Sequence, residues 1–243
     1  LFDVLHRRRR RRGAIDFDLP EAEVVLSEFG QIEAILPTER NVAHRLIEEF
    51  MLLANQTVAS HLVAQNAPAL HRVHESPDIR KVEDFEAYIA TLGYSLATEG
   101  RAVRPKHFQA LIDRMRGTPE ERPIATLMLR TMQKARYDAA SLGHFGLAAE
   151  HYTHFTSPIR RYPDLIVHRA LRALRQPAMS DARRKELEER LPEVARQTSE
   201  RERRADDAER ELLQWKKVRF MADKVGDHYH GHITGVAPFG LFV

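Results

Sequence analysis

Two prolines, Pro158 and Pro163, bracket a paired arginine in the block His151-Tyr152-Thr153-His154-Phe155-Thr156-Ser157-Pro158-Ile159-Arg160-Arg161-Tyr162-Pro163-Asp164. No other stretch constrains the chain as strongly. Each proline ring locks its own φ and pushes the residue before it away from helical geometry, so the backbone around Arg160 and Arg161 is stiff. The apolar residues Leu165, Val167, Leu171 and Leu174, with His168 among them, then predict a helix that starts at Pro163 or Asp164. Two guanidinium groups therefore stand beside a helix N-terminus, where free N–H groups and the dipole favour an anion. A planar guanidinium meets a phosphate through two donors at once, which an ammonium cannot do. The block reads as a phosphate site.

Upstream, Arg7 to Arg12 is an unbroken arginine run. It is either a solvated helix end or linker face, or an electrostatic guide for a nucleic-acid backbone. Ile15 and Phe17 alternate with Asp16 and Asp18, a period of two that predicts a strand. A metal on those two carboxylates is the weaker reading, since Pro20-Glu21 closes the strand at once. Val24 to Leu26 and Ile32 to Leu36, joined through Glu28-Phe29-Gly30, predict a hairpin.

A long amphipathic helix is expected from an N-cap at Thr38 to Gln65, with Val42, Leu46, Ile47, Phe50, Leu53 and Ala54 as its apolar stripe. His44, Glu48 and Glu49 on that helix invite a metal reading, but a solvated or channel-facing acidic side is preferred. Pro68 to Pro77 encloses a short strand at Leu70-His71-Arg72-Val73-His74. Packing helices follow at 78–92, ended by Gly93, at 105–116, ended by Gly117, and at 123–137. His144, His151, His154 and His168 lack the spacing of an accepted zinc site, so hydrogen-bonded histidines bracing the loop before Arg160 are expected instead.

From an N-cap at Ser180 to Asp223 lies a long charged helical region, with a bend anticipated at Pro192. Glu200–Arg204 and Asp206–Arg210 have the i,i+4 spacing of ion pairs, and Leu191, Val194, Ala205, Ala208, Leu212 and Trp215 mark an inner stripe. Glu202 and Glu209, seven residues apart, share a face. A glycine-rich hairpin closes the chain, Gly231 to Val236 and Phe239 to Val243, with Phe239 and Phe242 offered as stacking surfaces for bases.

With 243 residues the chain can bury one substantial core. A charged fraction of 30% points to long solvated helices, and a net charge of +3 permits a nucleic-acid partner without requiring one. The absence of cysteine excludes disulfides, thiolate metal sites and a cysteine nucleophile. No apolar run approaches the roughly 18 residues of a membrane span, so a cytoplasmic protein without a membrane partner is the expectation.

The block 156–164, with His168-Arg169 after it, resembles a signature of the ribonuclease II/ribonuclease R (RNB) exoribonucleases, the ribonuclease R side more than the other. So, in order, do Arg12-Gly13-Ala14-Ile15-Asp16-Phe17-Asp18-Leu19-Pro20-Glu21, the helix 39–51, Leu129 to Ala135 and Gly143 to Ala148. The resemblance covers essentially the whole chain. It implies an α+β fold: a largely helical C-terminal part of an RNB catalytic domain at 1–224, then the first hairpin of an OB-type β-barrel at 225–243. It also implies a chain cut at both ends, without the upstream aspartates that hold Mg²⁺ in this family, and hence inactive alone.

The implied activity is 3′-to-5′ hydrolysis of single-stranded RNA to nucleoside 5′-monophosphates, by a monomer. Arg160 then binds the scissile phosphate, with Arg161 and Tyr162 positioning it. Glu209 matches the family's returning acid and would orient the departing nucleotide or a water. The segment 68–77 matches the wall of the RNA channel. It holds no Phe, Tyr or Trp, so Leu70, His71 or Arg72 takes that place. No metal ligand is assigned. The alternative is a non-catalytic RNA-binding module that uses the same loop; an aspartate cluster preceding Leu1 would favour the enzyme.

Overall fold

The structure is a computed structural model that describes residues 1–17, 22–37, 41–98, 100, 102–176, 180–231, 233 and 235–242. Asp18 and Thr38, singled out above, lie outside the described residues. The fold is α+β and largely helical, as expected.

Its centre is a three-helix unit: α3 (Ile79–Thr91), α4 (Pro105–Met115) and α5 (Glu121–Thr131). Val82, Phe85, Ile89, Phe108, Leu111, Met115, Ile124 and Met128 recur at helical spacing and fill the space between them. Asp78 caps α3 by accepting from the Arg80 N–H, and Pro105 opens α4 where its missing N–H costs nothing. The expected extension of α5 to Tyr137 does not occur. Its C-cap, Met132, is extended, and Arg136–Asp138 form β4, antiparallel to β3 (His71–Val73).

The six-arginine run is helical: α1 spans Phe2–Arg12. Nor is it wholly solvated. Arg9 is buried and donates from Nε to Glu49 at 2.8 Å and from Nη2 to Asp16 at 3.1 Å. Those bonds answer two of the metal readings above. Asp16 is tied to Arg9, and Glu49 is buried rather than solvated. Residues 14–17 are not a strand either. Ile15 N–H donates to the Gly146 carbonyl at 2.8 Å and Asp16 N–H to the Gln109 side chain at 3.2 Å, so no partner strand is required. Gly13 ends α1 with φ +89°, and a Cβ there would sit 2.8 Å from Lys106 Cβ.

The long helix α2 (Val42–Ala64) is capped by Asn41, which accepts from the His44 N–H at 3.0 Å. Its expected apolar stripe faces largely outward: Val42, Ile47, Phe50 and Leu53 are exposed, while Glu49, Asn55, Ala59 and Leu62 are buried. Polar partners invert the pattern, because Glu49 meets Arg9 and Asn55 bonds to the loop that carries Arg160. Leu62 packs with Ala69 and with Val167 of α6 (Tyr162–Ala173).

Helix α7 (Asp181–Met221), capped by Ser180, runs through Pro192 without interruption. Its buried residues lie in the N-terminal half, while farther along Lys216 donates to the Gly30 carbonyl in the turn between residues 26 and 32. Leu191 and Ala195 pack on Leu70 and Tyr137, whereas Ala205, Ala208, Leu212 and Trp215 are exposed. The ion pairs also differ from the expected ones. Glu200 meets Arg196 at 2.6 Å, and Arg210 meets Asp207 at 3.0 Å. Two hairpins complete the described chain, β1 (Ala22–Leu26) with β2 (Ile32–Pro37), and β5 (Gly235–Ala237) with β6 (Gly240–Phe242). The last is shorter than expected and leaves Phe239 in its turn. Among the described residues no helix is long and apolar enough to cross a membrane.

Candidate functional site

The loop before α6 is fastened from three sides. Asn55 of α2 accepts from the Phe155 N–H at 3.0 Å and donates to the Tyr152 hydroxyl at 3.0 Å. The Thr153 hydroxyl donates to the Leu70 carbonyl at 2.6 Å, and the Arg72 N–H donates to the Tyr152 carbonyl at 2.9 Å. From α6, His168 donates Nε2 to the Phe155 carbonyl at 2.9 Å and stacks on its ring at 4.3 Å. Such redundancy fixes a loop that proline alone only stiffens.

The paired arginines separate at its end. Arg161 turns inward: its Nη2 donates to Oδ1 of Asp164 at 2.8 Å, and the same oxygen accepts from the Ser157 N–H at 2.8 Å. Asp164 sits in the first turn of α6, where the helix dipole also favours its charge. Arg160 stays exposed, and its guanidinium has no hydrogen-bond or ion-pair partner among the described residues. The two side chains expected to act alike have different surroundings.

Arg160, Arg161, Tyr162 and Pro163 form one wall of an open cleft of about 850 Å³. The opposite wall is α7, through residues at helical spacing from Arg190 to Asp206. Tyr137 of β4 contributes as well. Three carboxylates line it: Glu193 is engaged by Arg196 at 2.7 Å and Glu202 by Arg72 at 2.5 Å, and Asp206 stands at the far end of the α7 wall. Arg160, Arg190 and Arg201 have no such partner among the described residues. The cleft therefore keeps a surplus of positive charge.

Beneath it lies a linked group from β3, β4 and α7. Arg72 stacks over the Tyr137 ring at 4.7 Å while pairing with Glu202, and the Tyr137 hydroxyl lies 2.8 Å from Nδ1 of His154. Burial, then the neighbouring Arg161 and Arg72, pushes His154 down to about 3. Burial, then Glu202, pushes the Tyr137 phenol up. His71 is buried, and burial followed by His151 brings it down to about 4. At neutral pH these groups are uncharged, so the cleft offers fixed cations and hydrogen-bonding groups rather than a poised base.

The structure thus brings Arg160, Arg161 and Tyr162 together and sets Arg72 behind them through Glu202. His71 faces inward instead of toward the cleft. Glu202 and Asp206, rather than Glu209, line the cleft with Arg160. Phe239 and Phe242 lie in the terminal hairpin with their rings 5.7 Å apart, edge to face. Arg190 and Arg201 were not singled out from sequence. Their spacing of eleven residues, three helical turns, is the signal that would have found them. Tyr137 was hidden by the helix expected there. All four histidines named from sequence are engaged: besides His154 and His168, His151 lies 2.8 Å from the Ser141 hydroxyl, and His144 accepts on Nδ1 from the Leu147 N–H at 3.3 Å and packs edge-on against the Tyr152 ring.

A family model described as the RNB domain matches residues 1–176. Ribonuclease R of Aquifex aeolicus (strain VF5) is 48% identical over 244 residues, covering 100% of this chain and 34% of that protein. Ribonuclease R 1 of Lactococcus lactis subsp. lactis (strain IL1403) is 44% identical over 243 residues, covering 100% of this chain and 30% of that protein. The chain spans about a third of the length of these curated relatives. Among solved structures, Mycoplasma genitalium RNase R in complex with ribose-methylated single-stranded RNA superposes with a TM-score of 0.93 at 29% identity, over 99% of this chain and 38% of that one.

Proposed function

The chain belongs to the RNB domain family, and from that premise we propose that it supplies the phosphate-binding part of a hydrolytic 3′-to-5′ exoribonuclease acting on single-stranded RNA. The observation that carries this reading is the cleft in which Arg160, Arg190 and Arg201 are left without carboxylate partners among the described residues. Arg160, held at the end of a fastened loop, donates to the scissile phosphate and to the charge that builds on its oxygens as water attacks. Arg161 acts through Asp164 to fix the turn, and half-exposed Tyr162 flanks the nucleotide. Glu202, held by Arg72, is the carboxylate facing the leaving nucleotide. Glu209, on the same face farther along α7, meets RNA away from Arg160. Phe239 and Phe242 stack on bases beyond the catalytic cleft. Nucleoside 5′-monophosphates are the products, and the whole protein acts as a cytoplasmic monomer.

The family implies Mg²⁺. Among the described residues no group of three or more His, Cys, Asp or Glu is placed to hold a metal ion, so the residues present do not fit it. Dependence on Mg²⁺ is part of the proposal for the whole protein.

The test is equilibrium binding of a 5′-labelled single-stranded RNA to this chain across a salt series. Affinity should fall linearly on logarithmic axes, and Arg160→Ala should weaken binding roughly tenfold and reduce the slope by about 0.7, the share of one phosphate contact on a single strand. A flat salt response, or an Arg160→Ala chain that binds like the parent, would overturn the reading.

A further inference from the structure

A second cavity, of about 580 Å³, lies between α6 and α7. It is within the range of small-ligand sites, roughly 300–1,000 Å³. Ile166, Ala170, Leu187 and Leu191 give it apolar walls, the composition expected where a flat ring is to be desolvated. Its charged lining is one-sided: Arg169, Arg183, Arg184 and Arg190 contribute, and among the described residues no aspartate or glutamate does.

Two of these cations are engaged. Arg183 pairs with Glu186 at 2.6 Å, and Arg184 donates to the Asn66 carbonyl at 2.6 Å. Arg169 and Arg190 have no ion-pair or hydrogen-bond partner among the described residues. The groove also adjoins the Arg160 cleft, because Tyr162, Arg190 and Val194 line both. Apolar walls, unpaired guanidiniums and a shared wall with a phosphate cleft define one kind of occupant: a small anion that carries a ring.

We propose that this groove binds a nucleoside 5′-monophosphate, the base against Ile166 and Leu187 and the phosphate on Arg169 and Arg190. It would thus hold the mononucleotide after release from the Arg160 cleft, a placement that rests on the exonuclease reading above. Arg190 stands at the junction, able to pass the phosphate from one cavity to the other. Binding itself involves no covalent step, so it is measurable without turnover.

The test is titration of this chain with adenosine 5′-monophosphate by calorimetry, with adenosine and inorganic phosphate as separate probes. One saturable site is expected for the nucleotide, with at least tenfold weaker binding of either half alone. Arg169→Gln and Leu187→Glu should each weaken nucleotide binding tenfold or more, the second by placing a carboxylate beside the phosphate. Leu187 is only partly buried, and Arg169→Gln changes an exposed side chain, so a folding failure in one variant leaves the other informative.

Lys185→Ala, on α7 outside both cavities, should change nucleotide affinity less than twofold. No saturable nucleotide binding, indifference to both groove variants, or loss with Arg160→Ala alone would overturn the proposal. If RNA binding ignores Arg160→Ala while nucleotide binding still needs Arg169, the exonuclease reading fails and the groove stands.

Discussion

Arg161 donates from Nη2 to Oδ1 of Asp164 at 2.8 Å, and that carboxylate is completely buried. The contact separates two adjacent arginines: Arg161 is tied into the fold, and Arg160 is left without a partner among the described residues. Removing the acceptor should therefore damage the loop as a whole. Asp164→Ala strands the half-buried Arg161 guanidinium and the Ser157 N–H, at an expected cost of about 3–5 kcal/mol. Asp164→Asn, which keeps one acceptor, should cost less. Thermal unfolding of the three chains checks this, and equal midpoints would contradict it.

In the whole protein, Arg160→Lys should lower the cleavage rate far more than RNA affinity. Lysine keeps the charge but loses the planar pair of donors, so stabilisation is lost where charge develops. The expected loss is on the order of 10²–10³ in rate, typical for one preorganised donor. Single-turnover cleavage set beside equilibrium binding decides the matter. Equal losses in both would make Arg160 a plain binding residue.

Stability should decline in mild acid. Burial holds His71 near 4 and His144 and His154 near 3, with His151, His74 and Arg161 respectively adding repulsion. Unfolded imidazoles take up protons from about pH 6.5 downward, while the native ones do not until about 3–4. These neutral histidines thus contribute fully above pH 6.5, and their contribution is lost as pH falls through that window. The slope is at most about 1.4 kcal/mol per pH unit for each histidine. Unfolding midpoints at pH 7.5, 6 and 5 should fall in sequence; a constant midpoint would rule the linkage out.

Gly13→Ala should destabilise the junction of α1 and α4 by about 1–3 kcal/mol. The backbone there has φ +89°, and the added methyl would meet Lys106 backbone and Cβ atoms at 2.8–3.2 Å. Denaturant unfolding reads the cost directly. A variant as stable as the parent would show that Lys106 and the turn move apart freely.

Local rules were enough for much of this chain. Proline geometry and apolar spacing placed α6, a cap at Ser180 placed α7, and Gly93 and Gly117 marked where α3 and α4 stop. The stiff backbone around Arg160 and Arg161 was legible too, because Pro158 and Pro163 stand on either side of the pair. Tertiary structure decided which side of a helix is inside whenever buried residues were polar. Glu49 and Asn55 look like surface residues by composition, yet Arg9 and Phe155 supply their partners from more than 39 residues away. The same holds for Tyr137, drawn from an expected helix into β4 by pairing with Arg72 across the sheet. It holds also for the division between Arg160 and Arg161, set by one buried carboxylate. Periodicity records the hydrophobic preference of each residue, but a buried charge goes where its partner is, and that partner is fixed only when distant segments meet.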